Sequence, residues 1–276
     1  MSRENGHFVD ISEAEYHSMP RLGSSGFKKL AVSPGHFDYA RRNPTKATPE
    51  MRLGTSLHLL AMEPARFGTV AVLSPHDAYR SNEAKAWKAE QEAAGLIPLK
   101  SDEWAEVHRW RDALLAHPAA SDLLKPGDDV LVESSIFFDY DGVPCKARPD
   151  IYRARDGIIV DVKTSACVHE SEWDAEVART GLYFQPWLYL AASEAECDVP
   201  CDTFAWVCVS KEPPYAVWVR TAGQAWIDAA RREGEALLRT YRACQQSKVW
   251  PLSTPYAVES VPPAWFTNRF KENVDV

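Results

Sequence analysis

The chain has no apolar run approaching the roughly eighteen residues needed to cross a bilayer, and its opening Met1-Ser2-Arg3-Glu4-Asn5-Gly6-His7 carries no apolar segment of signal type. A cytoplasmic location without a membrane partner is the expectation. No G-x-x-x-x-G-K-S/T loop is present, so use of ATP is not implied. Positive charge is also short: 31 Lys and Arg face 39 Asp and Glu, a formal net charge of -8. That argues against nonspecific coating of nucleic acid, although a local basic groove can coexist with an acidic exterior. The six cysteines, Cys145, Cys167, Cys197, Cys201, Cys208 and Cys244, lack the dense spacing of a secreted disulfide scaffold and read as reduced thiols.

What is there suffices for one substantial core, with 276 residues of which 45% are hydrophobic and 25% charged. Residues 1–21 read as a polar, irregular arm. Residues 22–250 read as one domain, helical over 22–125 and carrying the candidate site over 126–250, and the proline-rich residues 251–276 read as an extended tail with Trp265, Phe266 and Phe270. Ser24 and Ser25 suit the start of a short helix, and Ser33-Pro34 the start of another. Helical patterns follow over 54–63, 77–95, 101–116, 172–192 and 223–244. Strands are expected over 130–138, 143–147, on both sides of Asp156-Gly157, over 203–209 and over 215–220.

The most informative stretch is Arg148-Pro149-Asp150, followed by Asp161-Val162-Lys163. The residues between them read as strand, Asp-Gly turn and strand, a hairpin that brings Asp150 and Asp161 together across the ladder. Asp161 and Lys163, two apart on one strand, share a face. Two carboxylates close together repel unless a hard cation with a taste for oxygen sits between them, which points to Mg²⁺. Such an ion polarises a phosphate oxygen and lowers the pKa of a bound water, while Lys163 orients or deprotonates that water or stabilises phosphoryl charge. The competing reading is a surface hairpin whose charges face solvent.

These motifs resemble the PD-(D/E)xK nucleases, in particular the branch that holds RecE-like nucleases, lambda exonuclease and the RecB nuclease domain. Gly54-Thr55-Ser56-Leu57-His58 is similar to the GxxxH element of that branch, and Gln185-Pro186-Trp187-Leu188-Tyr189 to its QxxxY helix motif. The segment Ser24 to Leu30 with Ser33-Pro34-Gly35-His36-Phe37 is similar to the opening of RecE-like phage nucleases. The ordered set spans residues 22–190.

The resemblance implies an α/β fold, a restriction-endonuclease-like core with a central mixed β-sheet flanked by helices and a helical N-terminal cap. It implies His58, Glu133, Asp150 and Asp161 as metal ligands for Mg²⁺ with Mn²⁺ as substitute, and Asp150, Asp161, Lys163, Glu133, Gln185 and Tyr189 as the catalytic set. Arg80, Lys85 and Lys88, interleaved with Trp87, correspond to a segment near the DNA channel; they either grip phosphates beside an aromatic or form a solvated face with Trp87 packed inward. Lys28, Lys29 and Arg148 join them as candidate DNA contacts.

Some relatives hold an iron-sulfur cluster, but the loose Cys197-x3-Cys201-x6-Cys208 spacing and the lack of a cysteine before His58 argue against one here. The activity implied is exonucleolytic, 5′ to 3′ on ends of double-stranded DNA, by a homo-oligomeric ring of three or four subunits beside a single-strand annealing protein. The alternatives are a RecB- or Cas4-like single-strand nuclease or endonuclease, and an inactive DNA-binding or assembly protein of the same fold.

Overall fold

Hydroxyl caps and prolines set the helix starts of the first half of the chain. Ser33 accepts the backbone N–H of His36 ahead of Pro34, Thr48 accepts that of Met51 ahead of Pro49, and Ser81 accepts that of Ala84. The structure, a computed structural model, describes residues 4–44 and 47–269; Phe270 lies outside them. In chain order it contains β1 (Gly6–Phe8), α1 (Glu13–Ser18), α2 (Ser24–Val32), α3 (Pro34–Arg42), α4 (Pro49–Met62), α5 (Pro64–Val70), β2 (Ala71–Leu73), α6 (Asn82–Ala93), β3 (Ile97–Leu99), α7 (Ser101–Ala116) and α8 (Pro118–Leu124). Then come β4 (Val130–Val132), β5 (Ser135–Tyr140), β6 (Val143–Ala147), β7 (Ile151–Arg153), β8 (Ile158–Ser165), α9 (Trp173–Thr180), α10 (Phe184–Glu196), β9 (Thr203–Ser210), β10 (Val217–Thr221), α11 (Gln224–Ser247) and α12 (Ala264–Asn268).

The central sheet has the order β10-β9-β8-β7-β4, with β8 and β9 parallel and the other pairs antiparallel. Alternation along β8 and β9 divides the core. Val160, Val162, Val207 and Val209 face α4 and α7, where Leu57, Leu60, Val107 and Trp110 are buried. Ile159, Phe204, Trp206 and Cys208 face the opposite layer with Trp187, Leu188 and Tyr189 of α10. This is the expected α/β architecture, a mixed sheet between helices.

The register of the expected hairpin holds, with Ile151 opposite Val160 and Gly157 in the left-handed region at the turn. The interrupted helical pattern near residue 181 resolves into α9, a left-handed cap at Gly181, and α10 with Pro186 tolerated in its first turn.

Three expectations are corrected. Residues 130–138 are not one strand: β4 pairs with β7, Glu133 turns the chain at φ 52°, and β5 leaves for a separate sheet of order β1-β5-β6. The 143–147 strand therefore lies outside the central sheet. The N-terminal segment is not irregular, since β1 pairs with β5 and α1 buries Tyr16 against Phe137 together with Ile11 and Met19. The helix bearing His58 starts at Pro49, earlier than residue 54, because Thr48 and Pro49 form its cap. Among the described residues no helix is long and apolar enough to cross a membrane.

Candidate active site

Four elements converge at the joint where β4 ends and β8 begins its second half. Asp150, the residue before β7, accepts the backbone N–H of Val162 on its Oδ2 at 2.6 Å. That bond fixes the carboxyl against the neighbouring strand and leaves Oδ1 facing His58, whose Nδ1 is 3.6 Å away. Glu133 comes in from the break after β4, its backbone N–H donating to the Asp150 carbonyl at 3.0 Å and its Oε1 lying 3.7 Å from His58 Nδ1. A non-glycine residue at positive φ is strained by about 1–3 kcal/mol, and here the strain turns a carboxylate into the site.

His58 is oriented from α4. Its Nε2 lies 3.0 Å from the Val162 carbonyl, and a carbonyl only accepts, so Nε2 carries the proton. Nδ1 is then the atom presented to Asp150 and Glu133. A ring nitrogen aimed at two carboxylates, with the other N–H held by a backbone carbonyl, is the arrangement of a metal-ligating histidine. His58, Glu133 and Asp150 each offer a donor atom within 4.8 Å of the others, the one such group among the described residues. One nitrogen and two hard oxygens suit Mg²⁺ or Mn²⁺.

The electrostatics agree with that reading. Burial alone would lower the His58 pKa, yet the charges of Asp150 and Glu133 hold it up at about 9. Burial pushes Asp150 up to about 7, with Asp161 and Glu133 adding to the effect. Glu133 is held below the usual carboxylate range despite its burial, by His58 and Arg148. The two carboxylates thus favour the charged form of the imidazole.

Asp161 stands apart from this triad. One carboxylate oxygen accepts Gln185 Nε2 at 2.7 Å, and the other is ion-paired with Lys163. Gln185 and Asp161 are both buried, so the QxxxY helix grips β8 directly. Tyr189, a turn further on, packs its ring edge-on against Phe204, and burial raises its hydroxyl to about 12. Lys163 is raised above the ordinary lysine value: burial opposes the charge, but Asp161 and Asp150 more than offset it. Held between two carboxylates, it remains an ammonium and is suited to donating hydrogen bonds and stabilising negative charge rather than to removing a proton.

Of the candidate DNA contacts, Arg148 is committed inside the protein. Its Nε donates to Glu133 Oε2 at 2.9 Å, and one terminal nitrogen donates to the Ile11 carbonyl and to Ser135 Oγ. Its role is to aim Glu133, which sequence reasoning missed; no signal in the motif separates an arginine facing DNA from one facing the next strand. Lys29, Arg80 and Lys85 are exposed. Lys88 is tied to Glu92 at 3.4 Å and lies over the Tyr79 ring, and Trp87 is half-buried against Tyr79 and His76. Lys28 is half-buried on α2. Gly54 of the GxxxH element faces open space, so nothing among the described residues demands its small size.

This sheet, with a His-Glu-Asp cluster beside an Asp-x-Lys strand, defines a PD-(D/E)xK-like nuclease superfold. A family model for the PDDEXK-like domain of unknown function (DUF3799) matches residues 23–257, and the chain belongs to that family. Among solved structures, the "putative exonuclease" from Eubacterium rectale superposes with a TM-score of 0.65 at 12% identity, covering 97% of this chain and 99% of that one. At that identity the likeness is one of fold. A phage-related exonuclease from Haemophilus somnus gives a TM-score of 0.37 at 12% identity, covering 83% and 96%, too low to carry weight. No curated protein matches the chain in sequence.

Proposed function

We propose that this protein is a metal-dependent exodeoxyribonuclease that hydrolyses phosphodiester bonds of linear double-stranded DNA. The observation that carries the reading is His58 Nδ1 facing Asp150 and Glu133 at 3.6 and 3.7 Å, next to the Asp161–Lys163 pair. A bound Mg²⁺ or Mn²⁺ would supply Lewis-acid polarisation and a more acidic water. Val162, through its carbonyl and its N–H, keeps the imidazole and Asp150 in register. Gln185 holds Asp161, and Asp161 holds Lys163 as the ammonium that meets charge developing on the phosphoryl oxygens.

Exonucleolytic action from the 5′ end, leaving a 3′ overhang for an annealing protein, is supported by the ordered motifs shared with RecE-like nucleases. The Eubacterium rectale protein of like fold is named as an exonuclease, with no polarity given. A ring of three or four subunits belongs to the same proposal. The test is end-labelled linear duplex, single-stranded DNA and closed circular duplex, each with Mg²⁺ or Mn²⁺. Release of label from the linear duplex with the circle intact is the expected result. Cutting of the circle would make the protein an endonuclease, and inertness toward all three would remove the enzymatic reading.

A further inference from the structure

One ammonium in this region has no task in the site as described. Lys28 lies on α2, whose neighbouring Phe27 sits under α10 against Phe184 and Trp187, with ring centroids 5.8 and 5.1 Å apart. The Lys28 stem crosses the cap that separates α9 from α10: a Cβ on Gly181 would come within 3.2 Å of Lys28 Cγ. Gly181, at φ 68°, thus serves both the left-handed turn and the passage of this lysine. Its route runs over the N-terminal end of the helix that carries Gln185, and the charges it senses are those of Lys163 and Asp161. Among the described residues, no carboxylate or carbonyl hydrogen-bonds or ion-pairs with it.

A half-buried ammonium without a protein acceptor among the described residues, set near another ammonium, is less favourable in the free protein than a paired one. Burial and the Lys163 charge lower its pKa to about 8, so most molecules still carry the charge at neutral pH. What would relieve both the missing acceptor and the repulsion is an anion brought in from solvent. Lys29, the adjacent lysine, is exposed.

We infer that Lys28 is a phosphate ligand, contacting an internal phosphodiester of the strand that lies in the site beside Asp161 and Lys163. This rests on the nuclease reading above and adds a residue that places the substrate rather than acting on the reacting atoms. Terminal phosphomonoesters share the chemistry, and the measurements separate them.

The decisive experiment compares the full-length wild type with Lys28→Met and Lys28→Arg. Methionine keeps an unbranched apolar stem over Gly181 and removes only the charge. Affinity for a fluorescent duplex is measured by anisotropy in Ca²⁺ across a salt series. Loss of one phosphate contact should weaken binding by about tenfold in Lys28→Met and make the slope of log K against log salt shallower by about 0.9, with Lys28→Arg close to wild type. A purely structural lysine would leave the slope unchanged, and an unchanged slope overturns the inference. Equal losses on 5′-phosphorylated and 5′-hydroxyl duplexes are expected, and a loss confined to the phosphorylated ends overturns the internal assignment. Cleavage by the wild type in Mg²⁺ is scored separately. Failure to cleave with the slope change intact would sink the nuclease reading and leave the phosphate contact standing.

Discussion

Gly234 on α11 lies under the Trp187 indole of α10, and Gly234→Ala tests how tightly the QxxxY helix is seated. An added Cβ would approach indole Cζ3 and Cη2 to 2.3 and 2.4 Å, where ordinary contact begins near 3.4 Å. The ring cannot easily retreat. Trp187 is 2% exposed, with Phe27 and Tyr140 packed edge-on against it at 5.1 and 5.2 Å and its Nε1 3.4 Å from the Tyr140 hydroxyl. Alanine favours a helix interior over glycine by about 1 kcal/mol, while overpacking a closed core typically costs about 1–3 kcal/mol. With aromatic rings on the far side the upper end applies, for a net destabilisation of about 2 kcal/mol. In a domain of this size that lowers Tm by about 4–8 °C. Urea and thermal unfolding followed by circular dichroism measure it. Phenylalanine lacks the outer indole carbons, so Trp187→Phe combined with Gly234→Ala should recover about 1 kcal/mol relative to the sum of the single changes. A Gly234→Ala protein as stable as wild type would refute the reasoning.

Other consequences of the geometry are open to measurement. Lys163→Ala should slow single-turnover cleavage by about 100-fold while DNA affinity in Ca²⁺ changes far less, and near-normal chemistry would remove Lys163 from the reaction. Because the folded-state pKa values of His58 and Asp150 are both raised, to about 9 and about 7, the stability they confer without metal is present at low pH. It is lost as pH rises, through about 7 for Asp150 and about 9 for His58. A metal must displace the His58 proton and, below about pH 7, the Asp150 proton as well, so Mn²⁺ affinity should rise roughly tenfold per pH unit between about pH 7 and 9 and more steeply below about 7, as calorimetry in buffers of different ionisation enthalpy would show; pH-independent binding without proton release would contradict the ligand assignment. Arg148→Ala should weaken Mn²⁺ binding about tenfold by freeing Glu133 and leave the salt dependence of DNA binding as it was. A shallower slope would return Arg148 to the DNA surface.

The sequence made Asp150, Asp161 and Lys163 legible because a two-residue strand period and an Asp-Gly turn are local signals. His58 and Gln185 were reached only through motif order, since neither spacing nor composition says that an α4 imidazole will meet a β8 carbonyl. The turn at Glu133 had no signature, because glutamate is an unfavourable residue for positive φ and only the surrounding contacts hold it there. β1 was hidden for another reason. Three residues are too few for alternation to register, and Gly6 finds its partner Phe137 far along the chain. The separation of Asp161 from the His58 cluster was equally out of reach, as it depends on Gln185 and Lys163 claiming its two oxygens.

The N-terminal segment has a practical reach beyond its small size. Lys146 is threaded beneath it, its ammonium held by the carbonyls of Tyr16 at 2.6 Å and Met19 at 2.9 Å, and Arg148 leans on the carbonyl of Ile11. The family match begins at residue 23, past all three of those carbonyls. Anyone trimming the protein to its recognisable homology would strip Lys146 of its carbonyl acceptors, take one of three from Arg148, and so loosen the guanidinium that aims Glu133. A shortened protein of that kind would keep every motif residue and still misplace one arm of the candidate metal site.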